Sequence, residues 1–327
     1  MNVEYTTSGG NLGPPDGRDS PRFMGPATFA RLPGPSEVES WDVSVVGVPF
    51  DAGTSYRPGA RFGPSAIRAG SKLLRPHHPA LHVEPFADQQ VVDAGDIAAS
   101  PYSIEDAIGQ IERGADELLA AAPRLVSLGG DHTIALPLLR AINRKHGPVA
   151  LVHFDAHLDT WDTYMSAPYT HGTPFRRAAE EGLFVEGHSM HVGIRGSLYG
   201  ADDLEEDAAL GFAVLGTWEI EVLGIAGVVS QIRERVGEHP LCLSIDIDVL
   251  DPAFAPGTGT PEIGGFSSRE LAGILRGLAG LDVVGADIVE VAPAYDHAEV
   301  TAIAAANMAY EILALMAVRA RGGAAAS

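Results

Sequence analysis

Short continuous runs of apolar residues alternate along this chain with longer segments in which apolar residues recur at helical spacing. Uninterrupted apolar runs are typical of strands covered on both faces, and strands separated by helices favour a parallel sheet. The pattern therefore predicts an α/β fold, a three-layer αβα domain with a mainly parallel sheet. Strands are predicted at 42–48, 124–128, 149–154, 190–194, 212–215, 241–246 and 282–289, and helices at 65–74, 103–120, 133–146, 217–235, 267–279 and 299–319.

The first forty residues differ from the rest of the chain in their pattern. Gly-Gly, Pro-Pro and Pro-Gly pairs interrupt them without any helical spacing, so residues 1–40 are predicted to form an N-terminal arm. The apolar residues of this arm need a surface to cover. Residues 41–320 show no further boundary and are predicted to form a single domain, while 321–327 are expected to be a flexible tail.

Three of the predicted strands end in carboxylates or imidazoles. Asp155, His157 and Asp159 follow the strand at 149–154 at alternate positions, so their side chains can face one point. The strand at 241–246 closes with Asp-x-Asp, and a third strand closes with Gly-Gly-Asp-His. In open α/β sheets, ligands bind beyond the carboxyl ends of the strands. The candidate ligands there are His132, Asp155, His157, Asp159, Asp246 and Asp248.

Each motif also has a common structural explanation when it stands alone. Asp-x-Asp is frequent in turns, and Gly-Gly-Asp-His can be a strand-to-helix turn that places Asp131 or Thr133 near the helix start. Converging carboxylates would repel one another, however, unless a cation lay between them. The full set exceeds what one Zn²⁺ ion needs and favours two ions, with one or two carboxylates bridging.

The oxygen-rich ligand set with some imidazole favours Mn²⁺, although Co²⁺, Ni²⁺, Fe²⁺ or Zn²⁺ also fits. Two close ions can lower the pKa of a water between them and provide hydroxide near neutral pH. The ligand pattern therefore predicts a dinuclear metal centre and hydrolytic chemistry.

The motifs and their order resemble those of the ureohydrolases, the family of arginases, agmatinases and guanidino-acid hydrolases. Besides the ligand motifs, the matching segments are His-Gly-Thr-Pro at 171–174, Ser-Ile-Asp-Ile-Asp-Val-Leu-Asp-Pro at 244–252, Ala-Pro-Gly-Thr-Gly-Thr-Pro at 255–261 and Asp-Ile-Val-Glu-Val-Ala-Pro at 287–293. The continuation of the last segment, 290–302, is most similar to agmatinases. The segment 171–177 also resembles the guanidinobutyrase and proclavaminate amidinohydrolase branches.

This resemblance implies a role for each matching residue. One Mn²⁺ ion would be held by His132, Asp155, Asp159 and Asp246, and a second by Asp155, His157, Asp246 and Asp248, so that Asp155 and Asp246 bridge. The expected catalytic residues are His171, Glu290 and Asp159, with His171 as the proton shuttle. Glu290 would pair with the substrate's guanidinium, which one carboxylate can receive through two parallel hydrogen bonds. Thr260 would line the site beside His171.

His171 and Glu290 also have simpler explanations. Alone, His171 would be a loop histidine that makes turn hydrogen bonds, and Glu290 would be an exposed charge at a strand end. Glu290 nevertheless lies in the apolar run 287–291, where a carboxylate needs a partner.

Composition excludes several other classes of protein. The net charge of −21 over 327 residues argues against partners such as nucleic acid or anionic membrane surfaces. The single cysteine, Cys242, excludes an intramolecular disulfide framework. The N-terminus carries no secretory signal, and no apolar run is expected to reach membrane-spanning length, so a cytoplasmic location is expected. The resemblance implies a homo-oligomer, a trimer or a hexamer.

The resemblance implies hydrolysis of a small guanidino compound to urea and an amine. Agmatine, which would give putrescine, is the first choice, and a guanidino acid such as 4-guanidinobutyrate is the second. Arg195 could receive the carboxylate of a guanidino acid, although a structural role at a strand end is favoured. A catalytically silent binding or regulatory protein is an alternative of a different class, which loss of a metal ligand would support. A third alternative, a zinc deacylase of the same fold, would need a mononuclear site and would have no use for Glu290.

Overall fold

A parallel eight-stranded sheet forms the centre of the computed structural model, which describes residues 4–324. The strands are β1 (Thr6–Ser8), β2 (Asn11–Gly13), β3 (Val43–Val48), β4 (Val91–Asp96), β5 (Arg124–Gly129), β6 (Ala150–Phe154), β7 (Ser189–Ile194), β8 (Phe212–Gly216), β9 (Leu241–Asp246) and β10 (Val283–Val289). The helices are α1 (Gly63–Ser71), α2 (Ile104–Ala121), α3 (Ala135–His146), α4 (Pro174–Glu180), α5 (Asp202–Ala209), α6 (Thr217–Val236), α7 (Ser268–Gly277) and α8 (Val300–Ala324).

The large sheet has the strand order β4-β3-β5-β10-β9-β6-β7-β8, and every neighbouring pair is parallel. Its two faces are buried against different helices. Along β6, Ala150, Val152 and Phe154 belong to the core on the side of α6, α7 and α8, whereas Leu151 belongs to the core on the side of α2, α3 and α4. This alternation explains why the central strands are apolar throughout, and it confirms the predicted three-layer α/β fold.

The predicted strands and most predicted helices are present within a few residues of their expected limits, but several elements were missed. These are the edge strand β4, the helices α4 and α5, and the small antiparallel hairpin of β1 and β2. β4 has only two large apolar residues before it turns polar, as an edge strand can. α5 is rich in acidic residues and buries little, so its sequence lacks a helical apolar stripe.

The N-terminal segment does not stay apart from the domain. Phe29 and Leu32 are fully buried in the same core as Ile67, and Asp93 accepts a hydrogen bond from the Phe29 N–H at 2.6 Å. The end of the predicted arm therefore covers the domain's own core. Phe23, nearer the N-terminus, remains 83% exposed.

The C-terminal helix α8 differs from expectation in two ways. It extends to Ala324 and so includes part of the segment expected to be a flexible tail; residues 325–327 of that expectation lie outside the described residues. The span Val300–Gly322 is also long and apolar enough to cross a membrane, with a mean hydropathy of 1.6, contrary to the expectation that no such run exists. Of its most apolar part, 83% is buried inside the protein, as in a core helix.

Candidate active site and metal centre

The four central strands β5, β10, β9 and β6 carry the predicted site residues at their carboxyl ends. β5 and β6 follow one another along the chain, yet β10 and β9 lie between them in the sheet. The carboxyl ends of the four strands therefore meet at one crevice, at the point where the order of strands in the sheet departs from their order along the chain. Such a position is where ligands bind in open α/β sheets.

The imidazole of His132 lies at the centre of the first group of candidate ligands. Its Nδ1 atom is 2.9 Å from Asp159 Oδ2, 3.3 Å from Asp155 Oδ2 and 3.5 Å from Asp246 Oδ2. The Gly-Gly-Asp-His segment also makes the helix start that its sequence suggested, because Asp131 accepts a hydrogen bond from the Thr133 N–H. Asp131 thus serves the turn while His132 faces the carboxylates.

The second group surrounds His157. Its Nδ1 atom is 3.2 Å from Asp155 Oδ1 and 3.2 Å from Asp248 Oδ2. Asp155 therefore offers one oxygen to each group, as expected of a bridging ligand. Asp246 approaches His132 in the first group, and its bridging to the second group stays a prediction.

The donor set fits two divalent cations. His132 Nδ1 is fully buried and makes no hydrogen bond to any residue of the part described, although three carboxylate oxygens lie within 3.5 Å of it. Asp155 and Asp248 are also almost fully buried, with no Lys or Arg paired to either among residues 4–324. Buried carboxylates that converge in this way need cations, and oxygen with imidazole is a ligand combination that Mn²⁺ and Zn²⁺ accept.

Two site residues have backbone conformations that are costly for non-glycine residues. The φ angle is 55° at Asp159 and 64° at Glu290. Such angles cluster at functional sites, where the surrounding structure enforces them. Both residues stand just beyond a central strand, where the left-handed conformation turns the chain sharply at the crevice.

Glu290 and His171 form a pair beside the metal ligands. Glu290 Oε1 accepts a hydrogen bond from the His132 backbone N–H at 2.9 Å and lies 3.0 Å from His171 Nδ1. The other nitrogen of His171, Nε2, lies 2.7 Å from Ser55 Oγ. Glu290 is buried, and its second oxygen, Oε2, has no hydrogen-bond partner within the described chain. One acceptor of this carboxylate is thus unused.

A cavity of about 640 Å³ opens above these residues. The predicted residues His157, Asp159, His171, Asp246 and Thr260 line it, whereas His132, Asp155, Asp248 and Glu290 are not among its lining residues. The cavity is also lined by Ser55, Tyr56, Arg57, Trp161, Tyr164, Gly172, Ser197, Leu198, Tyr199, Pro261 and Glu262. The volume suits a small substrate.

Arg195 has the structural role that its position at a strand end suggested. Its guanidinium donates hydrogen bonds to backbone carbonyls that include those of Asp248, Glu262 and Ile263, at 2.5, 2.8 and 3.1 Å. Because these carbonyls occupy its donors, Arg195 is not available to receive a substrate carboxylate.

Comparison with known proteins identifies the family of this site. Residues 41–315 match the model of the Arginase family. The chain belongs to the arginase family. It is 45% identical over 305 residues to guanidinopropionase of Pseudomonas aeruginosa, covering 93% of this chain and 96% of that protein. It is 41% identical over 303 residues to the mitochondrial agmatinase of Gallus gallus, covering 93% and 89%.

The structure of proclavaminate amidino hydrolase from Streptomyces clavuligerus is similar to this one throughout. The TM-score is 0.88 at 43% identity, over 92% of this chain and all of the other. As a member of the arginase family the chain is a hydrolase of guanidino compounds, and the family's metal centre is dinuclear. The expected family, fold and enzyme class are confirmed.

Several buried residues that contact the candidate metal ligands were not predicted from the sequence. His132 Nε2 lies 2.8 Å from Ser244 Oγ, and Ser244 donates a hydrogen bond to Asp287. Asp155 Oδ2 lies 2.8 Å from Nε2 of His153, a buried histidine two residues earlier. The sequence did contain a signal, because Asp287, Ser244 and His153 are polar residues within apolar strands, where each needs a partner.

Metal affinity is expected to rise with pH. Burial, followed by the charge of Asp155, raises the pKa of Asp248 to about 6, and burial with neighbouring carboxylates raises the pKa of Asp246 well above its usual range. Burial opposes the charged form of His132 and His157, but their carboxylate partners outweigh it and raise both pKa values. A cation must displace these protons, so Mn²⁺ should bind more tightly as the pH rises from about 6, the pKa of Asp248, to alkaline values.

Calorimetric titration of the metal-free protein with Mn²⁺ at several pH values measures this effect directly. Repeating each titration in buffers of different ionisation enthalpy gives the number of protons released. A Mn²⁺ affinity that is independent of pH, with no proton release, would contradict the assignment of these groups as ligands.

Proposed function

We propose that this protein hydrolyses a small linear guanidino acid, such as 4-guanidinobutyrate, to urea and an amine. The observation that carries the guanidinium part of the proposal is the unused oxygen of Glu290. A buried carboxylate with one unpartnered oxygen beside a substrate-sized cavity is costly unless a cationic donor meets it. A guanidinium offers a planar set of donors that suits this acceptor.

Glu290 and His171 have different roles toward the substrate. Glu290 binds and orients the guanidinium, and it also keeps a proton on His171. Burial opposes the charged imidazole, but the Glu290 carboxylate outweighs it and raises the pKa of His171 to about 9. The Glu290 carboxylate thus favours a proton on His171, which His171 can deliver to the departing amine.

The metal ligands supply the rest of the chemistry. His132, Asp155, Asp159 and Asp246 would hold one divalent ion, and Asp155, His157, Asp246 and Asp248 would hold the other. When bound, two such ions lower the pKa of water and so supply hydroxide near neutral pH. We propose Mn²⁺ as the native ion, because the set is rich in oxygen and contains only two imidazoles.

Two charged residues that line the cavity, Arg57 and Glu262, are candidates to contact the end of the substrate opposite its guanidinium. The Arg57 guanidinium lies 5.3 Å from the ring centres of both Tyr56 and Tyr295, and no carboxylate of residues 4–324 pairs with it. Glu262 approaches Nε2 of the metal-ligand candidate His157 at 3.9 Å. A carboxylate near a ligating histidine commonly orients it, so Arg57 is the lining charge that remains free to meet a charged substrate group.

An unpaired arginine at the cavity wall favours a substrate that ends in a carboxylate. We therefore propose a guanidino acid ahead of agmatine, which was the first choice from the sequence. Similar proteins are named both guanidinopropionase and agmatinase, so this order rests on Arg57. Agmatine remains the second candidate, because Glu262 lines the cavity and could receive an ammonium, and because a similar protein is named agmatinase.

Replacing Arg57 by glutamine is expected to lower kcat/KM for 4-guanidinobutyrate by up to about tenfold, the lower end of what a charged hydrogen bond contributes, since the site is partly open to water. The kcat/KM for agmatine should change little.

The matched variant Glu262→Gln keeps the shape of that side chain and removes its charge. Glu262→Gln should alter Mn²⁺ affinity more than substrate preference. Urea release measured for both variants on both substrates tests this, and a selective loss of agmatine hydrolysis in Glu262→Gln would make agmatine the substrate.

We also propose that the protein forms a homo-oligomer, a trimer or a hexamer, and that it is located in the cytoplasm. The exposed Phe23 and Met24 of the N-terminal segment are apolar surface that a neighbouring copy could cover. The alternative of a catalytically silent binding protein is not favoured, because every candidate ligand is present and the ligands converge.

A further inference from the structure

A line of buried polar side chains leads from the shared ligand Asp155 away from the cavity. Asp155 Oδ2 lies 2.8 Å from His153 Nε2, and His153 Nδ1 lies 2.7 Å from His191 Nδ1. His191 Nε2 then lies 3.3 Å from Asp207 Oδ1, which accepts a hydrogen bond from Thr160 Oγ1 at 2.8 Å. All five residues are buried, and the two histidines are fully so.

The positions of the protons follow from which atoms can accept. Asp155 offers acceptors, so His153 Nε2 carries a proton and donates it. The other nitrogen of a neutral His153 must then accept, and His191 Nδ1 must donate. His191 Nε2 faces Asp207 Oδ1 at 3.3 Å, without a hydrogen bond of full geometry between them.

Helix α5 is joined to the metal centre at two points by this line. Asp207 lies on α5, and the hydroxyl that binds it belongs to Thr160, the residue after the candidate ligand Asp159. The same carboxylate thus contacts both His191, which leads to Asp155, and the neighbour of Asp159. Sequence separation hides this arrangement, because Asp207 is 47 residues from Thr160.

We propose that His191 and Asp207 are positioning residues for the metal centre: they hold the ring of His153 so that it donates to the bridging carboxylate Asp155. This inference rests on the dinuclear centre of the proposed function. His153 is fixed at both ring nitrogens, which orients the carboxylate at the distance where it can serve both ions. Partners that orient a ligand in this way commonly alter metal affinity by about 10–100-fold.

A purely structural role explains the line less well. The histidine rings pack among Phe175 and Phe212, where apolar side chains of similar volume would fill the space without any polar group to satisfy. Burying a row of imidazoles and a carboxylate in such surroundings costs free energy that only complete hydrogen bonding offsets. Because the line ends on Asp155, a role in orienting this proposed ligand explains why these polar groups are buried.

Metal-free protein titrated with Mn²⁺ by calorimetry tests the proposal without any substrate. His191→Phe removes the donor to His153 and keeps an aromatic ring. It should weaken Mn²⁺ binding by about tenfold. This is the lower end of the range of about 10–100-fold given above, because His191 acts on Asp155 only through His153. Asp207→Leu should weaken it similarly, whereas Asp207→Asn can still bond His191 and should restore most of the affinity. The matched control is His78→Phe, which breaks another buried histidine–carboxylate pair, with Glu311, that contacts no metal ligand.

The expected result has a second part in the assay. The kcat/KM of His191→Phe at limiting Mn²⁺ should fall and should recover in excess Mn²⁺, while kcat at saturation changes little. His78→Phe should lower the unfolding temperature with unchanged Mn²⁺ affinity. Wild-type affinity in both His191→Phe and Asp207→Leu would overturn the proposal. If His191→Phe does not fold, equal Mn²⁺ affinity of Asp207→Leu and Asp207→Asn would overturn it. A wild-type protein that binds no Mn²⁺ would instead contradict the proposed function.

Discussion

His171→Ala is expected to lower kcat by about 10²–10⁴, the usual contribution of general acid–base catalysis. His171 lies against Glu290, which keeps it protonated, and against Ser55 at the cavity wall. Without the imidazole the departing amine loses its proposed proton donor. Metal content should stay at the wild-type level, because His171 belongs to neither ligand group. Steady-state urea release on protein of measured metal content gives the result.

The control for this variant is His188→Ala. His188 is a partly buried histidine bonded to the backbone carbonyl of Arg235, away from the cavity, and its loss should leave turnover unchanged. Near-normal turnover in fully metallated His171→Ala would show that His171 is only a loop residue that makes turn hydrogen bonds.

Glu290→Gln is expected to lower kcat/KM by about 10–150-fold, since one charged hydrogen bond contributes about 1.5–3 kcal/mol. The amide keeps the shape of the side chain and can still accept from the His132 N–H, so the variant should fold and bind metal. It removes the charge that meets the guanidinium and that holds the proton on His171. Because every guanidino substrate presents the same group, the loss should be similar for 4-guanidinobutyrate and agmatine.

Comparison of the two substrates makes the Glu290 test decisive. If Glu290→Gln changed the preference between them and left the better one untouched, Glu290 would be contacting the distal end. The substrate would then lie in the opposite orientation. Metal content and unfolding temperature, measured on the same preparations, separate this outcome from a general loss of structure.

The sheet could be predicted from the sequence because its strands are covered on both faces. β6 and β9 are apolar at nearly every position, so each is visible without knowledge of its neighbours. The edge strand β4 is half polar, and α5 buries almost nothing, so local pattern could not identify them. Their structure depends on neighbours far along the chain.

The convergence of the candidate metal ligands could be predicted for a related reason. Each candidate lies at the end of an apolar strand or within a few residues after it, and neighbouring parallel strands bring their carboxyl ends together. The residues that orient the ligands lack this regularity. His191 stands next to His153 because β6 and β7 pair in one register, and Asp207 reaches His191 from a helix with no apolar pattern. Contacts of this kind depend on register and on helix placement, which short motifs do not encode.

The central claim is hydrolysis of a guanidino compound at a site of two divalent ions. Titrating the metal-free protein with Mn²⁺ while measuring urea from 4-guanidinobutyrate, 3-guanidinopropionate, agmatine and arginine tests it most directly. We predict full urea release only when two ions per subunit are bound, with a guanidino acid hydrolysed fastest. Full activity with one ion per subunit, or no urea from any of the four compounds when two ions are bound, would contradict the account.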